Sequence, residues 1–315
     1  MKKIIALALA AAICLPVLVG CKKDEAGAPE TKAPVLTGKE ALKGKKVIFF
    51  GNSHLYYGNC VADVGQTTDI NKRVNDQGLF YQFCKANGVE VKVTNYSFGV
   101  HQLSDFYSHS CAANRGHDGH DHMADLGDLN YDYVVLQEGT KAEGHDLINS
   151  VKKMMELFTA KNPNVKFIFM PHLLAYTAGY DWLGQVKDLE ALGVTVVDWG
   201  GLLNAIINGE VQVPGTEQTY KHSSFIISQS AKDGYHPNLL TGYITAMMTY
   251  CAITGEKAET LKLLGADSIV GDAVALSTFR SRYYTFNNET NFEEVLLSKT
   301  EMQGIQKLID QYMAK

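Results

Sequence analysis

The sequence has no basic excess. Its 29 Lys and Arg stand against 34 Asp and Glu, a formal net charge of −5 with a pI near 6.1. Nucleic-acid binders usually carry a positive balance to neutralise phosphates, so this one argues against nucleic acid as a partner. No Cys-x-x-Cys pair occurs, so the cysteine spacing gives no zinc pattern. Internal repeats and low-complexity blocks are also missing. Charged residues are 20% and the hydrophobic set is 46%, which excludes both a disordered chain and a wholly membranous one. Only two Trp accompany 16 Tyr and 13 Phe, enough aromatic side chains for a folded core. A chain of 315 residues can bury a sizeable core as one large domain or two small ones.

The N-terminus is an address. Lys2 and Lys3 precede an uncharged apolar run from Ile4 to Gly20, the layout of a secretory signal. Its ending, Leu18-Val19-Gly20-Cys21, resembles the bacterial lipobox, in which the Cys is lipidated and becomes the first mature residue. Residues 1–20 are therefore expected to be a lipoprotein signal peptide, whose removal leaves 295 residues at a net charge of −7. Acyl chains on Cys21 would hold the chain stably at a membrane surface. Lys22-Lys23-Asp24-Glu25 resembles the surface-export signal of some Gram-negative lipoproteins. The expected location is the bacterial cell envelope, at the outer membrane, with surface exposure left open. Residues 21–44, poor in periodicity, read as the lipidated Cys and a flexible tether; residues 45–315 read as the domain. Cys60, Cys84, Cys111 and Cys251 remain in an oxidising compartment, where two disulfides would have three pairings; Cys60–Cys111 is the favoured pair, and free buried thiols are the alternative.

Within the domain, short apolar or β-branched runs alternate with helical spacing. Strands are expected at 46–50, 89–96, 131–137, 165–170 and 194–197. Helices are expected over the end of 61–87 (stopped by Asn87-Gly88), over 145–160, over 182–192 and, after Pro237, over 238–253. The segment 102–128 reads as a helix with an embedded loop, and 258–315 as helices packed on the core or as a small appendage. Strands separated by helices imply right-handed crossovers, a parallel sheet of about five strands, and a flavodoxin-like three-layer α/β/α sandwich. Ligands of such sheets sit outside the carboxyl ends of the strands. The residues after Phe50, Tyr96, Gln137, Met170 and Val197 are therefore the ones to inspect.

Those positions carry Gly51-Asn52-Ser53, Ser97-Phe98-Gly99 and Gln137-Glu138-Gly139, and the late segment Asp233-Gly234-Tyr235-His236-Pro237 follows. In this order they resemble the SGNH (GDSL-like) hydrolases, over about residues 45–255. The family's Gly-Asp-Ser block matches Gly51-Asn52-Ser53 with Asn for Asp, as in a GNS-type branch. Its second-block glycine matches Gly99, and its Asp-x-x-His block matches Asp233 and His236. The third block departs: the family's Gly-x-Asn-Asp is replaced by Leu136-Gln137-Glu138-Gly139.

The resemblance implies a serine esterase. Ser53 would be the nucleophile, His236 its base and Asp233 the carboxylate that fixes the imidazole tautomer. The oxyanion donors would be the Ser53 and Gly99 backbone N–H groups and a side-chain amide, for which Gln137 could replace the missing Asn. Asn52, His54 and His101 are candidates for lining the substrate cleft. The mechanism needs no cofactor. The expected substrate is an acylated carbohydrate or another small ester, and the membrane is met through the lipid anchor. A non-catalytic, glycan-binding surface lipoprotein on the same scaffold is the competing reading. The His-rich segment (His109, His117, Asp118, His120, Asp121, His122) offers a third: His117, His120 and His122 are metal candidates, weighed against a polar loop near the site mouth, and no metal is expected there.

Overall fold

The computed structural model describes residues 36–108, 121–227, 234–264, 273–275 and 296–314. Leu36 to Lys315 forms one compact unit. Five strands build its sheet: β1 (Lys45–Gly51), β2 (Val91–Ser97), β3 (Tyr133–Leu136), β4 (Lys166–Phe169) and β5 (Thr195–Val196). Their spatial order is β2-β1-β3-β4-β5, and every neighbouring pair is parallel. This is the flavodoxin-type order, with its topological switch between β1 and β3. The expected fold class is borne out.

The two-residue period of β1 divides the core. Val47 and Phe49 face one cluster, shared with Phe83, Met247 and Leu308; Ile48 and Phe50 face the other, shared with Val151, Met154 and Phe158. The helices that supply these layers are α1 (Ser53–Tyr56), α2 (Leu79–Ala86), α3 (His122–Leu126), α4 (Leu147–Thr159), α5 (Leu173–Thr177), α6 (Val186–Leu189), α7 (Trp199–Ile207), α8 (Leu239–Thr254) and α9 (Lys299–Met313). In α4 the buried Leu147, Val151, Met154 and Phe158 recur at helical spacing, and the Asp146 side chain caps the first turn by accepting from Asn149 N at 2.8 Å. Almost every residue of α8 is buried. Its threonines tolerate this because Thr245, Thr249 and Thr254 donate to the carbonyls of Thr241, Thr245 and Tyr250 at 2.7–2.9 Å.

Three expectations change. The folded unit starts inside the expected tether: Gly38–Ala41 forms a 3-10 turn, and Ala41 and Leu42 are buried in the core. The expected helix 182–192 is three short pieces, Asp181–Gln185, α6 and Glu190–Leu192; Gly184, a poor helix former, lies in the first piece just before its end. Cys60, Cys84 and Cys251 are free and buried, so Cys60 is not in the favoured pair with Cys111, which itself lies outside the described residues. Burial pushes all three thiols up, Cys251 to about 12. In the tail, α9 packs on the unit behind a capping box made by Ser298 and Glu301, and Ala273–Ala275 (β6) pairs antiparallel with Leu296–Ser298 (β7).

Candidate active site

At the carboxyl end of β1 the chain turns sharply into α1. Asn52 caps that turn: its Oδ1 accepts from His54 N at 3.1 Å, and its Nδ2 donates to the His101 carbonyl at 3.2 Å. Gly139 makes room for it, as Gly51 does for Leu55 and Gln137. A Cβ on Gly51 would lie 2.7 Å from Leu55 Cδ1, and one on Gly139 would lie 2.0 Å from Asn52 Nδ2. Asn52 is buried, with both polar ends engaged. It therefore shapes the nucleophile's turn and does not line a cleft, which corrects its expected role.

His236 reaches Ser53 from the other side of the fold. Its carbonyl accepts from Ile227 N at 2.8 Å, and Pro237 bridges to Ile226. Next, Asn238 caps α8 through Thr241 N and donates to the Ser224 carbonyl. With its backbone fixed on both sides, the His236 ring stands 4.2 Å from Tyr57 (edge to face), 4.3 Å from Tyr235 and 5.4 Å from His54. Its Nε2 lies 2.8 Å from Ser53 Oγ. In the neutral imidazole a hydroxyl donating to Nε2 requires the ring proton on Nδ1. That is the arrangement of a serine poised to lose its proton. Asp233, the expected orienting carboxylate, lies outside the described residues.

Behind His236 lies a feature the sequence reading missed. His172, at the start of α5 just after β4, is fully buried and stacks face to face on His54, with ring centroids 4.3 Å apart and planes at 10°. Tyr180 and Trp182 close the other sides. Burial holds the His172 ring down at about 3, and among the described residues neither ring nitrogen makes a well-formed hydrogen bond. His54 is held well below the usual histidine value, first by burial and then by His172 and His236. The available signal was position: His172 follows Pro171 at one of the strand ends singled out from sequence.

The remaining candidates divide. Ser53 N sits at the first position of α1, where no intrahelical acceptor exists. Gly99 is half-buried, but its N–H donates to Gln66 Oε1 at 2.8 Å, so it is already occupied. Gln137 is sealed under Gly51, fully buried, and among the described residues neither end of its amide has a hydrogen-bond partner. The side chain expected to replace the family's Asn therefore has no open face. His101 is buried among Phe98, Phe106 and His122, with Nδ1 2.9 Å from the Gly99 carbonyl, and does not line the cleft. Of the expected histidine cluster, His109, His117, Asp118 and His120 lie outside the described residues. Asp121 caps α3 through Ala124 N, and His122 is buried against Tyr96 and Phe98. Among the described residues no group of three His, Cys, Asp or Glu is placed to hold a metal. Val100, beside Gly99, is 68% exposed with φ 58°, a backbone region that costs a β-branched residue about 1–3 kcal/mol.

No family model matches the chain, and no curated protein does. Solved structures are similar to it at low identity. One, described as a DUF4886 family protein from Bacteroides uniformis, is 12% identical, with 86% of this chain and 95% of that one covered at a TM-score of 0.48. A family 3 carbohydrate esterase from Clostridium thermocellum is 14% identical, with 66% and 94% covered and a TM-score of 0.42. A member of the lipolytic protein G-D-S-L family from Veillonella parvula is 15% identical, with 65% and 95% covered and a TM-score of 0.38. The case for chemistry is carried by the side chains of this chain, above all the contact between Ser53 and His236.

Proposed function

We propose that this protein is a serine esterase that deacylates a carbohydrate at the bacterial envelope, held there by lipid on Cys21. The observation that carries the reading is the 2.8 Å contact between Ser53 Oγ and His236 Nε2, made by residues 183 positions apart at one rim of a parallel sheet. Ser53 Oγ attacks the ester carbonyl carbon while its proton passes to Nε2, and the carbonyl π pair moves onto oxygen. Collapse of the tetrahedral adduct breaks the bond to the alcohol oxygen, which takes the proton from His236 and leaves as the sugar hydroxyl. Water then attacks the acyl-Ser53 carbonyl, gives its proton to His236, and releases the carboxylic acid as Ser53 recovers its proton. Asp233 is assigned to His236 Nδ1 by its place three residues earlier. The acidic balance of the chain, 34 acids to 29 bases, disfavours polyanionic substrates.

The test is hydrolysis of acetylated sugars and nitrophenyl acetate by the full chain, beside Ser53→Ala and His236→Ala. Turnover that either substitution abolishes supports the reading. Turnover that survives Ser53→Ala, or no turnover by folded wild type, rejects it; the second result leaves the glycan-binding alternative. The anchor is tested separately: radiolabelled fatty acid should enter the wild type and not Cys21→Ser.

A further inference from the structure

Acyl transfer dictates where the two halves of an ester must lie. When the tetrahedral adduct collapses, the bond from the acyl carbon to the alcohol oxygen breaks. Its electron pair stays on that oxygen, and the proton held on His236 Nε2 moves to it. The alcohol must therefore lie beside the His236 ring, within hydrogen-bond reach of the Nε2 that stands 2.8 Å from Ser53 Oγ. The acyl chain hangs from a different bond of the same carbon and stays on Ser53. Side chains that crowd the His236 ring thus meet the alcohol half of the substrate.

Among the described residues, Tyr57 meets that ring edge-on at 4.2 Å, His54 lies 5.4 Å away, and Tyr235 lies 4.3 Å away with its plane tilted by 41°. Exposure separates them. Tyr57 and His54 are partly buried, whereas Tyr235 is 47% exposed, the one Phe, Tyr or Trp among the described residues that is exposed. A single apolar side chain on a surface is ordinary; this one is set apart by its place. Its ring is also 6.2 Å from that of His54, so it is bracketed between the base and the residue that follows the nucleophile. Buried rings stand behind it: His54 stacks at 4.3 Å on His172, which Tyr180 and Trp182 enclose. The backbone just after it is pinned where the His236 carbonyl accepts from Ile227 N and Pro237 bridges to Ile226.

We propose that Tyr235 is the platform of the alcohol subsite, its exposed ring covering the C–H face of the sugar whose hydroxyl carries the acyl group. The inference rests on the esterase reading above and adds to it the residue that selects a sugar ring over a small alcohol. A sugar presents apolar C–H faces between its hydroxyls. A tyrosine ring covers such a face with its apolar body and keeps its polar tip in water. Stacking there holds the alcohol oxygen beside His236 Nε2, where the leaving group must take its proton.

Steady-state hydrolysis by full-length wild type, Tyr235→Ala, Tyr235→Phe and Ser53→Ala tests it. The substrates are an acetylated methyl glycoside and ethyl acetate, which carries the same acyl group on an alcohol without a ring. In Tyr235→Ala, KM for the glycoside should rise by about three- to tenfold, and the ratio of kcat/KM for glycoside over ethyl acetate should fall by a similar factor. Tyr235→Phe, which keeps the ring, should retain most of that ratio. Because Tyr235 is exposed, both substitutions should leave the thermal midpoint near wild type. Equal losses on both esters would make Tyr235 a prop for His236 and overturn the proposal. So would a changed preference between acetyl and butyryl glycosides with the alcohol ratio intact, which would put Tyr235 on the acyl side. If Ser53→Ala abolishes turnover and Tyr235→Ala keeps the wild-type ratio, this inference alone fails; a wild type without turnover takes the esterase reading and this inference down together.

Discussion

The backbone of α8 lies hard against the segment after α1, and replacing Gly242 with Ala tests whether that approach sets the Ser53–His236 geometry. A Cβ at 242 would lie 1.5 Å from the Gly58 carbonyl oxygen, 2.4 Å from its carbon and 3.1 Å from Cys60 N. Ordinary contact begins near 3.4 Å. The obstacles are backbone, so no rotamer relieves them, and α8 and the 58–60 segment must separate by roughly 2 Å if the contact is to become ordinary. Ser53 lies five residues before Gly58 and His236 six before Gly242, so the separation opens the 2.8 Å Ser53–His236 contact. Overpacking of this kind typically costs about 1–3 kcal/mol and occasionally more, and a misplacement of about 1 Å can cost 10²-fold in rate. The expected outcome is a lowered urea midpoint together with at least a 100-fold loss of nitrophenyl acetate turnover, measured where the variant is still folded by circular dichroism. Gly184→Ala is the control: nothing lies within 4 Å of its Cβ position, and it should be neutral. Gly242→Ala with wild-type stability and turnover would refute the claim that this contact positions the pair.

Two further outcomes follow from packed polar groups. His172 titrates near 3 when folded and near 6.5 when unfolded, so below pH 6.5 the unfolded chain binds a proton that the folded chain does not. Its contribution is fully present above that pH and is lost as pH falls toward 3, by about 2 kcal/mol between pH 6.5 and 5; urea midpoints of His172→Phe should fall less steeply over that window, and an unchanged slope would contradict the assignment. Asp198 caps α7 through Gly201 N at 2.9 Å and accepts from Tyr176 and Tyr312 at 2.7 and 3.2 Å, which ties α5 and α9 to one carboxylate. Asp198→Ala should cost about 2–4 kcal/mol by denaturant unfolding and Asp198→Asn, which keeps the cap, less; equal losses would show that the cap is not what matters.

The sheet was legible because its strands are buried on both faces and read as continuous apolar runs between turn residues. Val165 to Met170 is the plainest case, ended by Pro171. The Ser53–His236 pairing was legible because topology fixes which loops meet: β1 is an interior strand beside the topological switch, and its carboxyl end faces the segment that starts α8. What sequence could not show was which polar side chains would be open. Gln137 has the right chemistry at the right strand end, but whether it faces solvent or the layer beneath Gly51 depends on strand twist and on the bulk of Leu55. His101 and Asn52 were placed by proximity in the chain, and close packing turned both inward. Gln66, whose amide oxygen covers the Gly99 N–H, escaped notice for the opposite reason: it lies in an irregular loop with no periodic signal. Likewise α5 and α7 were missed because they are short and their residues are apolar on most sides, which hides a helical period.

The most direct measurement of the central claim is peptide mapping after reaction of the full chain with a fluorophosphonate, which adds covalently to a serine whose proton has an adjacent base to accept it. The account predicts a single adduct on Ser53, formed at least 10³-fold more slowly in His236→Ala. An adduct on a different serine, or Ser53 labelling that His236→Ala leaves unchanged, would contradict it.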